Sequence, residues 1–397
     1  MTPKCRTLSR MRLAEWVGWF SEQGDLGPER GVWESVAVEA RPFLVAAELK
    51  RTPRQVLIVA ANYERCLSWE AKLVQCGIPE SQIHQLPSGT SSLFEDATPE
   101  YSALSDRIGA LEALITDEPT IVIGAASAVL ERTLPRDVLA DAFIEIQTGE
   151  TIDSDRLLKQ FAMLGYEPQE PVRLPGQFSR RGGIVDVYVS GYDLPIRIEF
   201  FGDEVESLRH FDPMSQRSVG SLPALRLTPS RETLYPLDGD ERWGGEVAAM
   251  LAQSMEREAA GLPPEAAARL EELVTGDMRA LSERVYFDRL DLYRPLLHPD
   301  SGCALDLLTP DDLLVLDEPL ELETLVARAE EELAQSLHSR HARGEILHSV
   351  VGDYMLPPEH LASHERTLAL TAMNALPEWL NLPRHDVGAV SLAPYRS

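Results

Sequence analysis

Val56-Leu57-Ile58-Val59-Ala60 is an unbroken apolar run, with Arg54-Gln55 before it and Asn62 after it. A strand with one wet face alternates polar and apolar residues. A run with no polar member is the pattern of a parallel strand covered on both faces. Leu67, Ala71 and Val74 follow at helical spacing, and Gly77 is placed to stop that helix in a left-handed cap. Thr120-Ile-Val-Ile-Gly124 repeats the pattern and leads into Ala125–Leu130. Leu313-Leu-Val-Leu316 repeats it again, ahead of a long acidic helix with Leu322, Leu325, Val326, Ala329, Leu333 and Leu337 on one face. Upstream, Leu13, Trp16, Val17 and Phe20 have the spacing of one more buried helical face. Strand and helix in alternation predict an α/β fold on a parallel sheet.

The pattern changes after Pro135. Ser154–Leu164 reads as a helix with Asp153 or Ser154 as N-cap, Leu157, Leu158, Phe161 and Leu164 inward, and Gly165 as its stop. Ile184-Val-Asp-Val-Tyr-Val189 and Ile196-Arg-Ile-Glu-Phe200 are strands of another kind, rich in β-branched and aromatic residues. In the second, Ile196, Ile198 and Phe200 point inward and Arg197 and Glu199 outward. Gly202-Asp203 turns the chain into Val205–Phe211, whose alternation is poor. The expected organisation is an α/β domain in two sequence halves, 1–137 and 231–397. A small, mostly antiparallel α+β domain, 138–230, is inserted between them.

Composition bounds the function. The chain has 397 residues and a net charge of −27, from 64 acidic and 37 basic residues. Such a chain repels phosphate overall, so nonspecific nucleic-acid binding is expected to be weak. No run reaches the 18 or more apolar residues of a membrane span, and no signal-peptide core follows the basic N-terminus. A cytoplasmic location is expected. Cys5, Cys66, Cys76 and Cys303 form no CxxC pair, and Cys66 and Cys76 read as small buried apolar residues.

Only Lys4, Lys50, Lys72 and Lys159 are lysines, and none follows a glycine. A phosphate-binding loop of the GxxxxGK[ST] type is therefore ruled out. Leu313–Leu316 nevertheless ends in Asp317-Glu318, the form of a Walker B strand, in which Asp would hold magnesium and Glu would orient water. Without the lysine the pair reads as vestigial. His360 and His364 have the i, i+4 spacing of a zinc pair but lack the companion Glu, and no metal or cofactor is expected. The one local cationic stretch is Arg173-Leu-Pro-Gly-Gln-Phe-Ser-Arg180-Arg181-Gly-Gly183, which contains no acid. Arginines beside an exposed aromatic, here Phe178, are the composition of a protein-binding hot spot.

Gly176–Tyr188, Pro195–Arg209 and Phe211-Asp-Pro-Met-Ser-Gln-Arg217 together resemble the sequence shared by UvrB and the transcription-repair coupling factors (Mfd). Phe211-Asp-Pro and Ser215-Gln-Arg217 favour the coupling factors. Flanking similarity at Tyr101–Leu114, Thr120–Leu134, Ala304–Leu308 and Leu313–Pro319 extends it over roughly residues 40–397. The resemblance implies a degenerate helicase-like fold of the P-loop NTPase type with an inserted domain that binds UvrA. It implies no Walker A loop near Val36–Leu49, and no DNA-clamping hairpin. The resemblance implies that RNA polymerase binding, DNA contact and ATP-driven translocation belong to regions of the family outside these 397 residues. Arg181 falls on a UvrA-contacting arginine. Ser179 and Pro168 stand where UvrB has two more, a loss that Arg173 and Arg180 would offset. The expected role is recruitment of UvrA in transcription-coupled nucleotide excision repair. The alternatives are a UvrB-type ATP-dependent helicase component and a regulatory scaffold that does not bind UvrA.

Overall fold

The computed structural model describes residues 17–18, 21–22, 30–89, 101–235, 246–351, 354–372 and 375–386. The helix read at Leu13–Phe20 lies largely outside them; Val17 is described and buried. The chain runs β1 (Gly31–Glu34), α1 (Arg41–Arg51), β2 (Val56–Ala60), α2 (Tyr63–Gln75), β3 (Ile83–Leu86), α3 (Tyr101–Ala113), β4 (Ile121–Ala125), α4 (Ala126–Leu130) and α5 (Arg136–Asp141). Next come β5 (Ile144–Gln147), α6 (Ser154–Met163), β6 (Glu167–Pro168), β7 (Gln177–Arg181), β8 (Ile184–Val187), β9 (Ile196–Phe201), β10 (Glu204–Phe211), β11 (Ser218–Leu222) and β12 (Ala224–Leu227). The last part holds α7 (Glu246–Ala259), α8 (Pro264–Glu283), α9 (Arg294–Leu297), β13 (Leu313–Asp317), α10 (Pro319–Ala342), α11 (His348–Val351), β14 (Thr367–Leu370) and β15 (Arg384–Asp386).

Seven strands form one sheet in the order β15-β1-β14-β13-β2-β4-β3, and every pairing is parallel. The apolar run at 56–60 is explained by cover on both sides. Leu57 and Val59 enter one core, and Val56, Ile58 and Ala60 enter the other. All five are fully buried, each large side chain stabilising the sheet by about 1.5–3 kcal/mol.

The second sheet has the order β11-β10-β9-β8-β7-β6 and is antiparallel except for the short β6–β7 pairing. Phe178, Val185, Val187, Ile196, Ile198 and Leu208 face the helix α6 side and belong to the same core as Leu57 and Val59. The fold is thus α/β on a helicase-like parallel sheet, with a small second domain whose core is continuous with it. Asp153 caps α6 by accepting from Asp155 and Arg156 N–H. Gly77 and Gly165 adopt positive φ after α2 and α6, the conformation their placement required.

Three features differ from the sequence reading. Helix α2 buries Cys66, Trp69 and Leu73, while Leu67 and Val74 are exposed. The face is set by Trp69, whose indole N–H reaches across to Asp317 at 2.8 Å. In β10 two register shifts, at Val205/Ser207 and His210/Phe211, break the period of two. Val205, Leu208 and Phe211 are therefore all buried at a spacing of three. Finally, α7, α8 and α9, which precede β13, build a separate helical core together with Leu337 and Tyr354 from beyond it, where the sequence reading expected an immediate return to α/β.

Candidate functional site

The second sheet and the end of β13 each bring together a group of charged side chains that the sequence had singled out in part. On the second sheet, cross-strand register puts Ser179, Asp186, Arg197 and Arg209 in one row on the face turned away from the core. Arg181 lies on the same face, two residues along from Ser179. Asp186 is buried and is the hub of this row. It accepts from Arg181 Nη2 at 2.8 Å, and from Arg197 Nε and Nη2 at 2.7 and 2.9 Å. Arg197 in turn lies over the Phe211 ring, 4.7 Å from its centroid. The Arg181 side chain remains 43% exposed, so a clamped guanidinium presents donors to solvent at little entropic cost.

The sequence grouping of Arg173, Phe178, Arg180 and Arg181 does not survive as one surface. Phe178 is buried and stacks on Phe161 at 5.4 Å, because its strand position points into the core. It cannot serve as an exposed anchor. Neighbouring strand residues face opposite sides, so Arg180 turns toward α6 and pairs with Asp155. Arg181 takes the other side. The stretch is also less cationic than it reads, since Asp155, Asp186 and, at 3.9 Å, Glu170 come from elsewhere to meet it. Arg173 is exposed and has no ion pair among the described residues. Its neighbour Leu174 supplies an exposed apolar side chain in place of Phe178. Pro168 is exposed on β6, paired with Phe178, and Ser179 is buried. Arg197 and Arg209 were missed as members of the face. The alternation of Ile196-Arg-Ile-Glu already put Arg197 outward, but only the register joins it to Arg181.

At the C-terminal end of β13, Asp317 is buried and its carboxylate is fully engaged. It accepts from Arg41, from Arg65 Nε at 2.8 Å and from Trp69 Nε1 at 2.8 Å. Arg41 is wholly buried at the start of α1. It also pairs with Glu318 and donates to the Val36 carbonyl through Nε at 3.2 Å and Nη2 at 3.0 Å. Glu318 sits at φ 59 and accepts from Ala372 N–H at 3.0 Å and Thr371 Oγ1 at 3.2 Å. The loop 35–40 between β1 and α1, where a phosphate-binding loop would stand, is closed by this arginine. A cavity of about 440 Å³ beside it is lined by Arg65, Glu318, Leu320, Glu321 and Thr324. That lining holds two acids and one arginine, an unfavourable site for a polyphosphate. Arg41, Arg65 and Trp69 carried no motif that a sequence scan could find.

The histidines at i, i+4 do not act together. His360 Nε2 lies 2.8 Å from Asp306 Oδ1, and His364 Nε2 lies 2.9 Å from the Asp312 carbonyl. The described cysteines are buried and free, as expected for Cys66 and Cys76, and burial pushes their thiols up to about 12 and about 11. Among the described residues no helix is long and apolar enough to cross a membrane.

Residues 144–232, which hold the second sheet, match the family described as the UvrB interaction domain. The transcription-repair-coupling factor of Myxococcus xanthus is 31% identical over 288 residues, 72% of this chain and 22% of the relative. That of Bacillus subtilis (strain 168) is 29% identical over 260 residues, 66% and 22% of the two chains. UvrABC system protein B of Thermosipho africanus is 33% identical over 126 residues, 32% and 19%. The chain spans about a fifth of the length of these curated relatives.

Proposed function

We propose that this chain, a UvrB-like module of the kind carried by transcription-repair-coupling factors, recruits UvrA in nucleotide excision repair through the outer face of its second sheet. The match of residues 144–232 to the UvrB interaction domain carries this reading. The clamped, half-exposed Arg181 on β7 gives it a centre, with Arg209 across the sheet on β10 and Arg173 at the rim. On this reading RNA polymerase, DNA and ATP-driven movement belong to other parts of a coupling factor.

Truncating an interfacial arginine that becomes buried on binding costs about 2–5 kcal/mol, because its partner charge is stranded. Arg181→Ala should therefore weaken UvrA binding at least tenfold in surface plasmon resonance. Its circular dichroism should match wild type, since Asp186 keeps both hydrogen bonds to Arg197. Arg173→Ala and Arg180→Ala should each do less. Wild-type affinity in Arg181→Ala would remove the proposed centre. A native chain that does not bind UvrA would favour a regulatory scaffold.

The same reading makes the chain itself neither a nucleotide binder nor an ATPase. Titration with a fluorescent ATP analogue should give no saturable binding, and phosphate release should stay at background. Magnesium-dependent hydrolysis that disappears in Glu318→Gln would overturn this and favour the helicase-component alternative.

A further inference from the structure

Two short helical turns, Ala304–Leu307 ahead of β13 and Pro358–Ala362 ahead of β14, meet at three side chains of metal-binding chemistry. The Cys303 thiol, a carboxylate oxygen of Asp306 and an imidazole nitrogen of His360 all lie within 4.8 Å of one another. Asp306 joins the other two. Its Oδ1 is 2.8 Å from His360 Nε2, and its Oδ2 accepts the Cys303 backbone N–H at 2.7 Å. This carboxylate can stand so close only because residue 302 is glycine. A Cβ there would lie 2.3 Å from Asp306 Oδ2. Cys303 is wholly buried, whereas the Asp306 and His360 side chains are 38% and 27% exposed. The cluster is thus walled on the sulfur side and open to water on the other.

We propose that Cys303, Asp306 and His360 bind a zinc ion, with water completing the coordination. The donor set of one thiolate, one imidazole and one carboxylate suits zinc, which prefers sulfur and nitrogen in a tetrahedral arrangement. Calcium and magnesium demand oxygen ligands and are excluded by the same set. A tetrahedral zinc spaces such donors roughly 3.3–3.8 Å apart, given bonds of about 2.0–2.3 Å. Small rotations of the two half-exposed side chains reach that spacing. On binding, the thiol proton leaves to solvent as the sulfur–zinc bond forms, and the imidazole gives up its Nε2 hydrogen bond to Asp306 and carries its proton on Nδ1, so that the Nε2 lone pair meets the ion. No electron changes hands. The ion would staple the 303–307 turn to the 358–362 turn. His364, committed to the Asp312 carbonyl, takes no part.

The full chain, freed of metal by chelation, should bind one equivalent of cobalt(II) and develop a near-ultraviolet thiolate-to-cobalt charge-transfer band that zinc abolishes. Cys303→Ser should lose the band. His360→Ala, a change at a half-exposed position, should weaken cobalt binding at least tenfold. A variant with Cys5, Cys66 and Cys76 all replaced by Ser should retain the band, as should His364→Ala. Zinc should raise the Tm of wild type and leave that of His360→Ala unmoved. Absence of the band in wild type, its survival in Cys303→Ser, or wild-type affinity in His360→Ala would each overturn the proposal.

Discussion

Arg107→Ala is expected to lower the unfolding free energy by about 3–5 kcal/mol, the usual cost of removing one partner from a buried ion pair. Arg107 is wholly buried on α3 and binds Glu232 through two bonds, Nε to Oε2 at 2.8 Å and Nη2 to Oε1 at 3.2 Å. Its Nη1 donates to the Pro87 carbonyl at 2.8 Å and to the Ala128 carbonyl at 3.2 Å. Glu131 lies 3.4 Å away and itself accepts from Gly89 N–H at 2.6 Å. On the far side, Arg294 reaches Glu232 at 3.2 Å, Thr233 Oγ1 at 2.8 Å and the Arg132 carbonyl at 2.8 Å. The network ties the parallel sheet, the segment returning from the second sheet and the helical core at one point. Urea unfolding followed by circular dichroism measures the loss. A change below about 1 kcal/mol would mean that water replaces the guanidinium, as at exposed pairs.

The same network predicts a pH dependence. Burial alone would push the Glu232 carboxyl up, but the charges of Arg107 and Arg294 and the hydrogen bonds from Arg107 outweigh it and hold the group at about 2. The folded value lies below the ordinary 4.5, so the stabilisation is complete above that value and is lost as pH falls through about 2. The lost part amounts to about 3 kcal/mol, at 1.36 kcal/mol per unit. In Glu232→Gln the difference in stability from wild type should shrink by that order between pH 6 and the acid limit.

The sequence disclosed those parts of the fold that local pattern controls. The strands at 56–60, 121–125 and 313–317 are apolar because both faces are covered, and that cause is visible without coordinates. It could not disclose which face of α2 is buried, since Leu67, Ala71 and Val74 are as regularly spaced as Cys66, Trp69 and Leu73. The choice depends on Asp317, far away in sequence. Leu270, Val274 and Leu281 on α8 carry a helical spacing that was legible and simply indicates a lobe of its own. For the candidate site, motif reasoning singled out Asp317 and Arg181 but not the side chains that they meet. Arg180 and Arg181 are adjacent in sequence and opposed in space. Arg41 fills the place of the missing phosphate loop without resembling any motif.

Arg41→Ala should destabilise the chain by about 3–5 kcal/mol, by the same rule for a broken buried pair. The guanidinium is wholly buried and bridges Asp317, Glu318 and the Val36 carbonyl. Its removal leaves Asp317 with Arg65 and Trp69 alone, and strips Val36 of both its donors from this side chain. Arg41→Lys should recover only part of the loss, because an ammonium is a single point of charge and cannot span three acceptors as the planar fork does. This variant also separates a structural role from a latent nucleotide site. A ligand that binds only the folded chain at a hundred times its Kd would stabilise it by about 2.7 kcal/mol. Excess magnesium-ATP should nonetheless leave the Tm of wild type and of Arg41→Lys unchanged, since Asp317 is already saturated by protein donors and the adjoining cavity is acidic. Wild-type stability in Arg41→Ala would show that Arg65 alone suffices as the counter-charge of Asp317. A Tm raised by magnesium-ATP in either protein would show that the pocket at the end of β13 still accepts a nucleotide.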